Sequence, residues 1–371
     1  MKSFCFVQLY HISERGGGAE VQSAYLAEYL AAENYDVHYI CKSDKVKEVT
    51  SKVIKAVNVH MIPNYDGLSK ANFDNIYNLL LEIKPDLIIE RMSSSFGKPI
   101  LMAKKIINAK YIWICTDNES PLKFKTIINY YNKLSYFKFL VVFYKAFITD
   151  LIRIKAIRNA DYVFSQNDTQ KRLIFDNFKR DSLRMISGHP EPKEEVPSKK
   201  RFENKLVLWC ANLGKHKRPE IFVELAKALE KQNITCVMVG SHANKEYVKN
   251  LFKNKTDNLR VTGQLSFEDS LKWFNKATIF VNSSVSEGFS NTYIQAWLRG
   301  VPVILFGADP SDIVKKESLG FDVKDVNEAV MKIDSLFSNY DYYSERSNHV
   351  ENYSMKNYSI KKMADNFLKN L

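Results

Sequence analysis

The chain has 371 residues, a length that asks for two domains rather than one. At 45% hydrophobic residues it can bury two cores, which excludes a disordered or fibrous chain. A net charge of +12 calls for an anionic partner: a phosphorylated substrate, an acidic membrane surface or nucleic acid. The five cysteines (Cys5, Cys41, Cys115, Cys210, Cys236) sit in or beside apolar runs and form no C-x-x-C pair. They read as reduced core thiols, not as a disulfide framework or a zinc site. Residues 1–10 form a short apolar strand rather than a signal peptide, and no window of about 18 apolar residues predicts a membrane-spanning helix.

Residues 3–10 (SFCFVQLY) read as a buried first strand. Gly16, Gly17 and Gly18 follow, then a helix to about residue 32 with Val21, Ala24, Tyr25, Ala27 and Leu30 on one stripe. A strand, a glycine turn and a helix bring backbone N–H groups close to an anion such as a diphosphate. Three glycines exceed the needs of one tight turn, which favours binding over mere flexibility. The pattern is not G-x-G-x-x-G, so it is a weak dinucleotide fingerprint.

Strands at 37–41, 57–62, 86–91 and 111–116 alternate with helices at 72–83 and 96–108. Such alternation predicts a parallel, doubly wound sheet, with ligands at the carboxyl ends of its strands. Glu90, Arg91 and the acidic stretch from Asp117 to Glu119 lie at such ends. Arg91 and Asp117 are the candidate acceptor contacts, although surface solvation explains them about as well.

Residues 121–159 differ in character. They hold eight basic residues, one acid (Asp150) and nine interleaved Phe and Tyr rings. A basic, aromatic helix of this kind suits an anionic membrane surface, with packing of the rings on the sheet as the alternative. No nucleic-acid motif accompanies the charge, so nucleic acid is not expected as a partner. A strand at 161–166, a helix at 169–178 and a short strand at 184–187 follow. Residues 189–200, rich in proline and charge, read as an interdomain linker.

The second half restarts the pattern with a strand at 205–212. Lys215, Lys217 and Arg218 then precede Pro219 and a helix at 220–230, which puts three cations at a helix mouth, as a pyrophosphate site requires, with a basic solvated loop as the alternative. Strands at 235–240 and 259–262 and a helix at 266–275 lead to the stretch 281–303 (VNSSVSEGFSNTYIQAWLRGVPV). There an apolar strand runs into Glu287, Gly288 and Phe289, and a helix opens at Ser290 or Asn291. Gly300 and Pro302 stop it. Glu287 and Gln295 are eight apart with Asn291 midway, so they share a helix face. Helices at 309–317 and 326–337 and an amphipathic tail at 359–371 complete the chain.

The segments WCANLGKHKRPE, TGQLSFEDSLKWFNKA and SEGFSNTYIQAWLRGVPV resemble the family 4 glycosyltransferases of the GT-B fold. GGGAE and QNDTQ extend the resemblance over nearly the whole chain. It implies an α/β architecture of two doubly wound Rossmann-like domains facing a cleft. Residues 1–188 would bind the acceptor, 189–204 would link, 205–357 would bind the nucleotide sugar, and the helix 358–371 would cross back to the first domain. The implied reaction is a retaining transfer from a nucleotide-diphosphate sugar to a glycan or lipid-linked acceptor, with no required protein nucleophile, metal or other cofactor. The implied setting is cell-surface polysaccharide synthesis in the cytoplasm, with peripheral attachment to the inner face of the cell membrane.

By the same resemblance, Glu287 contacts the donor sugar and Lys217 the diphosphate. The amides of Gly288, Phe289, Ser290, Asn291 and Thr292 meet the donor phosphate, and Gly17 and Gly18 complete the donor set. Gln295 stands where the family has its second glutamate, and would meet the ribose. Asn212 replaces the family's arginine, which leaves Lys215 or Arg218 to supply that charge. The strand 111–116 has no counterpart of the family's catalytic-region histidine. Two competing readings are a sugar-nucleotide epimerase and a non-catalytic, membrane-associated scaffold with a degenerate site. The retained Glu287, Lys217 and glycine turn argue against the scaffold.

Overall fold

The computed structural model describes residues 2–14, 17–91, 95–194 and 196–371. The chain divides into two compact units, Met1–Gly188 with Ile360–Leu371, and His189–Ser359.

The first unit contains β1 (Ser3–Val7), α1 (Gly18–Ala32), β2 (Asp36–Ser43), β3 (Thr50–Ile54), β4 (Val57–Pro63), α2 (Lys70–Ile83) and β5 (Leu87–Arg91). It continues with α3 (Gly97–Ile107), β6 (Lys110–Ile114), α4 (Lys125–Lys133), α5 (Tyr136–Asn159), β7 (Tyr162–Ser165), α6 (Asp168–Phe178) and β8 (Leu183–Arg184). The sheet order is β3-β4-β2-β1-β5-β6-β7-β8. Every pairing is parallel except β3 with β4. Central strands such as LIIER and KYIWI are almost wholly buried, as in a parallel sheet covered by helices on both faces. Val7, Ile88, Tyr111, Trp113 and Ile174 belong to one continuous core.

The second unit contains α7 (Ser198–Asn204), β9 (Leu206–Cys210), α8 (Pro219–Ala228), β10 (Thr235–Val239), α9 (Lys245–Leu251), β11 (Leu259–Gly263) and α10 (Phe267–Lys276). It continues with β12 (Ile279–Asn282), α11 (Asn291–Trp297), β13 (Val303–Leu305), α12 (Ile313–Lys316), β14 (Gly320–Asp322), α13 (Val326–Ser338) and α14 (Tyr340–Tyr358). Its all-parallel sheet runs β11-β10-β9-β12-β13-β14. The last helix, α15 (Ile360–Lys369), belongs to the first unit, where the Phe367 ring lies 5.7 Å from Phe164 and 6.4 Å from Phe4.

Several segments differ from the sequence reading. Residues 189–204, expected as a linker, belong to the second unit: the His189 N–H donates to the Tyr358 carbonyl (2.9 Å), and Arg201 of α7 is buried and donates to Ser347 Oγ (3.1 Å). Residues 121–159 form two helices. Tyr131 meets Phe139 (5.5 Å) and Phe124 meets Phe147 (6.5 Å), so α4 and α5 run antiparallel. The buried Asp150 carboxylate accepts from the Thr126 and Ile127 N–H groups and pairs with Arg153 (2.8 Å), which ties the start of α4 to α5. The helix expected at 309–317 begins only at Ile313. Asp309 caps it by accepting from the N–H groups of Val314 and Lys315, after Ser311 and Asp312 turn through φ of +60° and +57°.

Candidate functional site

In an open parallel sheet, the connections leave opposite faces where the strand order reverses, and the loops there part to leave a crevice at the carboxyl ends of the strands. In the second unit that reversal lies between β9 and β12, which are direct neighbours. The loop after β9 carries Lys215, Lys217 and Arg218. The loop after β12 carries residues 283–290. Thus two segments about seventy residues apart in sequence are delivered to one place by topology alone.

The loop after β9 turns tightly. Gly214 N–H donates to the Asn212 carbonyl (2.7 Å) and Lys217 N–H to the Gly214 carbonyl (2.8 Å), forming a 3-10 turn over Lys215–Lys217. Arg218 ends it in the left-handed region, at φ +46°, and Pro219 starts α8. Beside this loop, Gly240 has φ +148°, and a Cβ there would lie 1.8 Å from the Ala211 oxygen, so glycine is needed for the close approach.

Backbone and side-chain bonds stitch the two loops together. Arg218 Nε donates to the Ser283 carbonyl (2.6 Å), while its Nη2 reaches the carbonyls of Ser284 (3.3 Å) and Phe306. Ser283 Oγ donates to the Lys217 carbonyl (2.6 Å), and the Val285 N–H to the His216 carbonyl (2.9 Å). Across this seam Lys217 Nζ lies 2.6 Å from Glu287 Oε1, with side-chain exposures of 19% and 12%. The same oxygen accepts from Ser284 Oγ (2.7 Å) and Asn282 Nδ2 (3.3 Å). Three donors on one carboxylate oxygen, one of them charged, fix its orientation firmly. Asn282 and Ser284 were not singled out in the sequence. Their signal was the run of small polar residues that follows an apolar strand.

The remaining candidates from the second unit divide by surroundings. Lys215 is exposed. The Arg218 guanidinium, offered by sequence as a phosphate ligand, braces loop carbonyls instead. The Phe289 ring packs on Tyr358 (5.4 Å) and Trp297 (6.3 Å), which anchors the loop before α11. Ser290 Oγ and Thr292 Oγ1 are 2.8 Å apart, and Asn291 is the first residue of α11, with Gly288 half-buried just before. Gln295 is buried, and its carbonyl accepts from Arg299 (2.9 Å). His189, missed in the sequence, hydrogen-bonds the Asn291 side chain and stacks beside Phe267 (6.5 Å). Burial first, then the charge of Arg299, lowers its pKa to about 3, against the raising effect of the Asn291 bond.

The first unit has its own reversal, between β1 and β5. Gly16 lies outside the described residues. Gly17 caps α1 without a side chain, and a Cβ on it would come 2.4 Å from Glu20 Oε2. The chain's own carboxylate therefore folds back over the helix start, at Gly17 and Gly18, where an outside anion was expected. Burial raises the Glu20 pKa, against the lowering effects of its own N–H and of Arg91. Arg91 is buried at the end of β5; its Nη2 donates to the Gln166 carboxamide (3.0 Å), which in turn donates to the Thr116 carbonyl (3.1 Å). Glu90 is fully buried in the strand, with the Tyr111 hydroxyl donating to it; burial raises its pKa to about 8, against that hydrogen bond. Asp117 organises its own loop: it pairs with Lys125 (2.9 Å) and accepts from the Glu119 (2.9 Å) and Ser120 (2.6 Å) N–H groups. Burial opposes its charge, but Lys125 and Ser120 hold its pKa below the usual value.

Among the described residues, no group of three or more His, Cys, Asp or Glu side chains is placed to hold a metal ion.

Residues 204–339, which include both loops of the second-unit site, match a family model described as Glycosyl transferases group 1. An uncharacterized glycosyltransferase of Haemophilus influenzae is 23% identical over 364 residues, covering 94% of each chain. Among solved structures, sucrose-phosphate synthase from Thermosynechococcus elongatus aligns with a TM-score of 0.77 at 14% identity, covering 100% of this chain and 98% of its own. Anabaena HepE in complex with UDP-glucose aligns with a TM-score of 0.74 at 14% identity, covering 100% and 99%. At that identity the structural likeness is one of fold. Two sheets of parallel strands and the family match together establish that this chain carries a Glycosyl transferases group 1 domain on a GT-B fold and is a glycosyltransferase.

Proposed function

We propose that the protein moves a sugar from a nucleoside-diphosphate sugar to a glycan or lipid-linked acceptor, with retention of anomeric configuration. The observation that carries this reading is the Lys217–Glu287 pair at the strand-order reversal, 2.6 Å apart and partly open to solvent. When the bond from the sugar C1 to the β-phosphate oxygen breaks, negative charge collects on the departing diphosphate. Lys217 turns from Glu287 to that charge, while the backbone amides at the start of α11 are fixed donors that need little reorganisation. The acceptor oxygen bonds to C1, and its proton leaves on the departing phosphate. Glu287 then accepts from the hydroxyls of the donor sugar.

Exposed Lys215 adds a second cation near the diphosphate, and the amides from Gly288 to Thr292 line the phosphate. Gln295 meets the ribose, since an amide both donates and accepts. We assign Arg218 to bracing, because its guanidinium is already bonded to loop carbonyls. The HepE complex with UDP-glucose supports uridine as the base. The acceptor falls to the first unit, where Arg91 and Asp117 stand behind the strand ends. We place the reaction in cell-surface polysaccharide synthesis at the inner face of the membrane.

A thermal-shift screen with UDP-, GDP-, ADP- and dTDP-sugars tests the reading, and the UDP-sugars should stabilise the protein. No shift with any donor would leave the scaffold reading in its place. Conversion of a donor to its epimer without an acceptor would make the protein an epimerase.

A further inference from the structure

Helix α5 runs for 24 residues, and only part of it meets the core. Ala146, Asp150, Arg153, Ala156 and Ile157 are its buried side chains. Tyr136, Phe137, Leu140, Val141, Phe143, Tyr144 and Leu151 are exposed. At about 100° per residue, these seven fall within an arc of roughly 160° centred away from the buried set. Phe137, Val141 and Tyr144 are 80%, 84% and 75% exposed. From α4, Ile128 and Tyr131 add to the same apolar surface chemistry. A continuous apolar stripe of this kind marks an interaction surface, unlike a scattering of single residues.

The charges around the stripe decide its occupant. Lys138 and Lys145 lie along one edge of the stripe, and Lys155 and Arg158 follow on the stripe's own face toward the helix end, all four exposed. Lys145 pairs with Asp66. Asp150, the one acid between residues 121 and 159, is buried against Arg153. The surface therefore pairs Phe, Tyr, Leu and Val side chains with a basic fringe. Aromatic rings beside lysines suit the boundary between acyl chains and anionic headgroups. A second copy of the chain would bring like charges together. No described helix is long and apolar enough to cross a membrane, so α5 would lie along the surface rather than span it.

We infer that the α4–α5 hairpin docks this protein on an anionic phospholipid surface, with the first half of α5 set among the headgroups and Lys155 and Arg158 on their phosphates. This deepens the lipid-linked acceptor reading by naming the surface from which such an acceptor arrives, and its test does not depend on the donor site.

Flotation of the full chain with vesicles decides the matter, using phosphatidylcholine alone and phosphatidylcholine mixed equally with phosphatidylglycerol. The protein should float with the mixed vesicles and stay below with the neutral ones. Combined Phe137→Glu and Val141→Glu substitution, at two side chains that pack on little, should cut flotation by about tenfold or more. The same variant should keep its thermal shift with UDP, which separates a failed docking surface from a failed donor site. Wild-type protein that stays below with mixed vesicles overturns the inference, as does a variant that floats unchanged. A wild-type dimer that the same substitutions convert to monomer also overturns it, and makes the stripe a contact between copies.

Discussion

At the strand-order reversal of the first unit, Arg91 and Glu20 are buried. At the corresponding reversal of the second unit, the Lys217 and Glu287 side chains keep exposures of 19% and 12%. Both places hold a cation and a carboxylate near the carboxyl ends of parallel strands. In the first, the carboxylate closes over the start of α1 and the guanidinium is tied to Gln166. In the second, a flexible lysine on a 3-10 turn meets a carboxylate held by two further donors. The contrast separates polar groups that order a fold from polar groups that can exchange a partner. A buried guanidinium cannot leave its site without stranding its partners, whereas a lysine at a rim can swing to a phosphate.

The sharpest way to break this contrast is to remove the exchangeable cation. Lys217→Ala should lower kcat/KM by about 100- to 1,000-fold, as loss of a charge-stabilising donor does, with little change in melting temperature. Steady-state transfer and a thermal melt measure both. Glu287→Gln keeps the hydrogen-bond geometry and removes the charge, so its effect should be smaller, about 10- to 100-fold in kcat. Unchanged kinetics would take Glu287 out of the site. Arg91→Met should act in the opposite manner. It should cost about 1–3 kcal/mol in denaturant unfolding, by leaving buried acceptors unpaired, while UDP affinity stays within a factor of about two.

The smallest effects concern pH, and they differ in sign between the units. Glu90 has its folded pKa raised from 4.5 to about 8, chiefly by burial. The stability it contributes is full below about pH 4.5 and is lost as pH rises toward about 8. His189 has its pKa lowered from 6.5 to about 3, again chiefly by burial. Its contribution is present above about pH 6.5 and is lost as pH falls toward about 3. Melting curves of Glu90→Gln and His189→Gln against wild type across these windows should flatten the alkaline and acid losses respectively. Parallel curves would remove the assigned groups from the account.

Much of this architecture was legible in the sequence because strands such as LVLWC and IFVN are short, apolar and bounded by polar loops. The loop cations and Glu287 were legible through motif resemblance, although their contact across seventy residues required the sheet order. Helix α14 was not read. Its buried positions Tyr343, Ser347, Val350, Ser354 and Tyr358 have helical spacing, but two are serines that fill tight contacts without adding hydrophobicity. Strand β3 escaped for the reverse reason: four of its five residues are exposed on a sheet edge, so no apolar pattern marks it. Arg218 and Glu20 show the limit for sites. Sequence places a charge near a loop, but only packing decides whether that charge faces a ligand or the loop itself.

The most direct test of the central claim is calorimetric titration of UDP into wild-type protein and the folded Lys217→Ala variant. Partner exchange by Lys217 predicts that the variant binds at least about tenfold more weakly, with a reduced dependence on salt. Equal affinity and equal salt dependence would contradict it.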